Sequence, residues 1–143
     1  MNRHLKLSAV FVVLSLSLGG CPKAYFWTVA VDISPQVVDT LRSAVRKLPG
    51  LEGQKRVTGG DPNCTYYDKR LSRSGALVAV DECHSPRKDS AAGWSYRVTI
   101  NTFEGGRPEV GKEIDTFIED IHRIIEAHVP DANPTVETHT LSI

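Results

Sequence analysis

Four side chains of the kinds that bind metals or attack substrates stand in a row at Asp81-Glu82-Cys83-His84. In an extended chain, neighbouring side chains take opposite faces. Asp81 and Cys83 then point one way and Glu82 and His84 the other, so the four cannot close on one ion without a bulge. Glu119-x-x-His122 sets a carboxylate and an imidazole on one helical face. Di-iron bundles need a second such motif and further glutamates from other helices. None is present, and the pair reads as a solvated polar face. His122, His128 and His139 lack the short ligand spacing of a zinc site. The serines have no Gly-x-Ser-x-Gly elbow around them. Neither Gly59-Gly60 nor Gly105-Gly106 carries the companions of a phosphate-cradling loop. The expectation is no catalytic residue, no metal ligand and no cofactor.

Cys64 and Cys83 are the other reactive pair. The runs Thr65–Leu71 and Ala76–Glu82 look like strands separated by the turn residues Ser72-Arg73-Ser74-Gly75. With Arg73-Ser74 as a two-residue loop, Leu71 faces Ala76 and Cys64 faces Cys83. Directly opposed residues lie about 5 Å apart, within reach of a disulfide. Two buried thiols and a redox pair are the alternatives, and no Cys-x-x-Cys spacing supports the last.

The elements that must position these residues follow from periodicity. Tyr25–Ile33 alternates with period two, placing Trp27, Val29, Val31 and Ile33 on one face. Ser34-Pro35 then opens a helix as cap and first residue, and Val37, Val38, Leu41, Val45 and Leu48 form its apolar stripe up to Pro49-Gly50. A polar loop follows to Asn63, with a short strand around Gln54–Thr58 allowed. After the hairpin, His84–Gly93 reads as an exposed loop and Trp94–Phe103 as a half-buried strand. A long helix from Pro108 or Glu109 to His128 carries Val110, Ile114, Phe117, Ile118, Ile121, Ile124 and Ile125. Pro134–Ile143 is an edge strand. The order is β-α-β-β-β-α-β. Two helices with one apolar stripe each need a shared sheet face. The expected fold is therefore α+β, an antiparallel sheet of four to five strands with both helices on one side. It is similar in layout to the split β-α-β of ferredoxin-like folds, a likeness that carries no function. The face away from the helices presents Phe26, Thr28, Arg97, Thr99, Asn101 and Phe103. Phe26, Arg97, Asn101 and Phe103 form its candidate partner surface, with a merely solvated face as the alternative.

The N-terminus is different in kind. Arg3 and Lys6 precede the apolar run Leu7–Leu18, which at 1.5 Å per residue is too short for a ~30 Å hydrocarbon core. A basic start and a short apolar run are the pattern of an export signal. Leu18-Gly19-Gly20-Cys21 resembles the lipobox of bacterial lipoproteins. The resemblance covers Met1–Cys21 only. It implies that Cys21 takes a diacylglyceryl group and becomes the N-terminus after cleavage behind Gly20, and that Pro22, where an inner-membrane retention signal has aspartate, favours the outer membrane. The expected organisation is a signal peptide at 1–20, a short tether at 21–24 and a single domain at 25–143.

The balance of 17 basic and 17 acidic residues gives no electrostatic footprint for nucleic acid. At 41% hydrophobic, the composition is that of a globular chain. The sequence therefore reads as a lipid-anchored envelope protein, its domain in the periplasm. Its membrane contact is the lipid on Cys21 and its partner another envelope protein. The other reading is a small-ligand-binding domain or an enzyme whose site assembles from the loops Gly50–Asn63 and His84–Gly93.

Overall fold

Alternation in the first strand builds the sheet. In β1 (Lys23–Ile33), Trp27, Val29, Val31 and Ile33 are buried while Thr28 and Ala30 are half-covered and Asp32 is exposed. The computed structural model describes residues 23–51, 54–55 and 59–142; Cys21 and the segment before it lie outside the described residues. Helix α1 (Pro35–Arg46) starts on Pro35, whose missing N–H is no loss in a first turn. Ser34 holds the cap position in extended geometry, but its side chain makes no capping bond, so the helix start rests on the proline. Strands β2 (Gln54–Lys55), β3 (Cys64–Arg70), β4 (Leu77–Pro86) and β5 (Trp94–Thr102) follow, then α2 (Pro108–His128) and β6 (Thr135–Ser142).

The sheet order is β2-β3-β4-β5-β1-β6 and every neighbouring pair is antiparallel. This is the expected α+β class, with five full strands and the two-residue β2 at one edge. Strand β1 lies between β5 and β6, the two strands that α2 connects, so a split β-α-β unit is present. The helices pack side by side and share one core with the inward strand residues. Val38, Leu41 and Val45 of α1 and Ile114, Phe117, Ile118 and Ile121 of α2 meet Val29, Val31, Val98 and Ile100. Each such side chain contributes roughly 1.5–3 kcal/mol on full burial.

Two expectations about the hairpin change in detail. The loop between β3 and β4 has four residues, not two: Gly75 donates its N–H to the Leu71 carbonyl at 2.9 Å, and Leu71 donates to Ala76 at 2.8 Å. Gly75 sits at φ +73°, a left-handed conformation that glycine adopts without steric cost. The register is unaffected, because a two-residue and a four-residue loop share one centre; Cys64 still faces Cys83. Strand β4 also runs to Pro86, because pairing with β5 continues to Pro86 opposite Trp94, and the following loop is correspondingly shorter.

Candidate functional site

The sheet has one face under the helices and one face without a covering element among the described residues. On the open face, Ala30 of β1, Arg97 of β5, Cys83 of β4 and Cys64 of β3 form one row across the strands. Cys64 and Cys83 are joined as a disulfide with their Cα atoms 4.1 Å apart. His84 N–H bonds Asn63 O at 3.2 Å, marking the neighbouring pair as hydrogen-bonded. The cysteines thus occupy a non-hydrogen-bonded pair, where side chains approach most closely. The next row holds Glu137, Thr28, Thr99, Asp81 and Tyr66. Thr28 and Thr99 share a hydroxyl hydrogen bond of 3.3 Å, and burial pushes the Asp81 carboxyl above its usual range.

The four partner-surface residues are not alike. Arg97 is exposed, and Phe103 is 67% exposed just beyond β5. Phe26 and Asn101 face each other and are half-buried. The ring of His139, from β6, stacks on Phe26 with centroids 4.8 Å apart. His139 therefore belongs to this face, and its sequence signal was only its parity on an edge strand. The other histidines lie elsewhere: His122 Nδ1 is 3.2 Å from Glu126, and Glu119 pairs with Arg123, so Glu119 and His122 serve different partners.

Beneath α1 lies a second polar group. Glu82 and His84 do point away from Asp81 and Cys83, toward the helices. Glu82 is 1% exposed and accepts a 2.5 Å hydrogen bond from Tyr96 Oη. Its other oxygen, 3.6 Å from Arg42 Nε, has no hydrogen-bond partner. Arg42 and Arg46, one turn apart on α1, both donate to Thr65 Oγ1, and Arg46 Nε donates to Tyr67 Oη at 3.0 Å. Burial raises the Glu82 carboxyl, opposed by the Tyr96 hydrogen bond and the two arginines. Burial also raises Tyr96 and Tyr67, with the Glu82 charge acting the same way. Burial lowers the His84 imidazole, as does Arg42. The group holds α1 against β3–β5 and contains no nucleophile beside a base. Arg42, Arg46, Tyr67 and Tyr96 went unrecognised in the sequence. The usable signal was the parity Val78, Val80, Glu82, which sends an acid into the core.

Among the described residues no three His, Cys, Asp or Glu side chains gather as a metal site. A groove of about 440 Å³ runs between α2 and the β3–β4 turn, lined by Lys69, Arg73, Lys112, Glu113 and Phe117 among others. Glu113 there accepts the backbone N–H groups of Arg73 and Ser74. The loop His84–Gly93 contributes nothing to this groove.

No family model and no curated protein matches this sequence. Among solved structures, one similar chain is "De novo designed protein Foldit4", at 16% identity and a TM-score of 0.47 over 85% of this chain and 98% of that one.

Proposed function

We propose that this is a lipid-anchored protein of the bacterial cell envelope whose domain is non-catalytic and docks another envelope protein through the open sheet face. The observation that carries the reading is Leu18-Gly19-Gly20-Cys21, placed two residues before β1 begins at Lys23. The disulfide supports it, since such bonds persist in exported proteins and are rare in the cytosol. No helix among the described residues is long and apolar enough to cross a membrane. The anchor proposed is the lipid on Cys21. A single acyl chain holds a protein only marginally, whereas the several expected at such a cysteine hold it stably. The outer membrane is the proposed address because Pro22 follows the cysteine. The docking surface is the exposed Arg97 with Asn101, Thr99 and the Phe26–His139 stack around it. Interfaces favour aromatic and arginine side chains of this kind.

The test is Cys21→Ser in cells fed a labelled fatty acid. Loss of label and accumulation of the uncleaved precursor are expected. Normal cleavage behind Gly20 in that variant would defeat the reading.

A further inference from the structure

Among the described residues four large apolar side chains remain exposed: Leu77 at 49%, Phe103 at 67%, Val136 at 48% and Leu141 at 56%. Three of them lie at one end of the sheet. Leu141 faces Ala24, next to the Lys23–Ser142 pair. Phe103 follows Thr102, which faces Tyr25. Leu77 begins β4, and its carbonyl accepts the Thr102 hydroxyl at 3.3 Å. This is the end at which β1 starts. The turn that carries Phe103 is pinned there by Gly105, where a Cβ would sit 2.5 Å from Tyr25 Cβ.

The same rim carries exposed Lys23, Arg70 and Arg73. Of its acids, Glu104 and Glu109 are engaged by Arg107, at 2.9 and 2.8 Å, and Glu113 accepts the backbone N–H groups of Arg73 and Ser74. Exposed apolar groups ringed by cations match an interface with acyl chains below and anionic headgroups above.

Chain length decides which surface meets that rim. One residue, Pro22, separates Cys21 from Lys23, and the two chain steps can span at most about 7 Å. The headgroup layer of one leaflet is itself roughly 5–7 Å thick. A domain so tethered has no room to stand clear of the bilayer. Resting on the anchor reading above, we infer that the rim of Leu77, Phe103 and Leu141 seats on the headgroup–acyl boundary of the membrane that holds Cys21. The sheet then stands upright, with Arg97 and the disulfide row raised into the aqueous space. Phe103 becomes a membrane contact and leaves the protein-docking surface.

The experiment uses the full processed protein, reconstituted in vesicles of phosphatidylethanolamine and phosphatidylglycerol. Nitroxides are placed at Phe103→Cys and Leu141→Cys, and at Ser85→Cys at the far end of β4. Mass measurement of the mature chain comes first, and an unacylated Cys21 overturns both this inference and the anchor reading. With Cys21 acylated, labels at 103 and 141 are expected to lose several-fold of their collision rate with a water-soluble nickel complex, while the label at 85 keeps its own. Equal water access at all three sites overturns the membrane seat and leaves the anchor standing. Shielding at 103 in native membranes but not in the lipid vesicles also overturns it, in favour of a protein occupant. Hydrogen exchange of the unsubstituted chain is the second readout: slowing at residues 103–106 and 139–142 on moving from detergent to vesicles supports the seat, and unchanged rates contradict it.

Discussion

Glu82 is the only charged side chain fully enclosed among the described residues, and it costs the fold something at neutral pH. Because burial raises its folded-state affinity for a proton, its stabilising contribution is complete below the ordinary glutamate range. That contribution is lost as pH rises through the elevated value. Glu82→Gln keeps an oxygen for the Tyr96 hydroxyl and removes the titration. The expected outcome is that variant and parent have matching urea midpoints near pH 4 and that the variant becomes the more stable above it. A gap independent of pH would contradict the assignment. The disulfide is a second case at this scale. Its loop, with a sequence separation of 19, is worth roughly 3 kcal/mol in the loop-entropy account. Replacing both cysteines by serine should lower stability by about that much and preserve the far-ultraviolet dichroism of the fold. Non-reducing mass mapping of exported protein should recover the two peptides joined. Gly105 has no such chemistry, only space. Gly105→Ala drives a methyl into Tyr25 and Trp27, so a loss of about 1–3 kcal/mol in a denaturation curve is expected.

The helices illustrate how an element obtains its stability from one stripe. In α2, Ile114, Ile118, Ile121 and Ile125 are buried, and they recur at intervals of three and four residues. Ile121 is fully enclosed, so Ile121→Ala should cost about 2–5 kcal/mol in chemical denaturation, the range for a truncated core aliphatic. Asp115→Ala, on the exposed side of the same helix, should shift stability by no more than about 0.5 kcal/mol. Helix α1 is held differently. Its apolar residues Val38, Leu41 and Val45 reach the core, while Arg42 and Arg46 reach down to the hydroxyls of β3 and the carboxylate of β4. The exposed ion pairs, such as Arg87 with Asp32 at 3.0 Å, place a loop rather than stabilise the domain.

For the whole molecule, the proposed anchor and the one-sided sheet together imply an orientation. The helices cover one face, the rim below β1 is the proposed membrane contact, and the remaining face is the proposed partner surface. A photocrosslinking residue at Arg97 should capture an envelope protein in intact membranes, while the same residue at Lys112 on α2 should not. Equal capture at both positions would remove the open face from the docking reading.

Period-two and period-3.6 patterns were legible in the sequence because each strand and helix buries one side against a shared core. From them followed the order of the main elements, the α+β class, the starts of both helices and the Cys64–Cys83 register, which depends only on where the turn is centred; α1 ends at Arg46, before the Leu48 expected in its stripe. The lipobox likeness is of another kind: it is a linear segment, and the anchor it implies remains the proposal above. Which strands lie side by side was not legible in the same way, because β1 pairs with β5 and β6 across long stretches of chain. Those pairings set His139 over Phe26, gathered Arg42, Arg46 and Tyr96 around Glu82, and brought Leu77, Phe103 and Leu141 to the end where β1 begins. No local spacing encodes such neighbours, since a residue's partner across a sheet is fixed by the register of the whole fold.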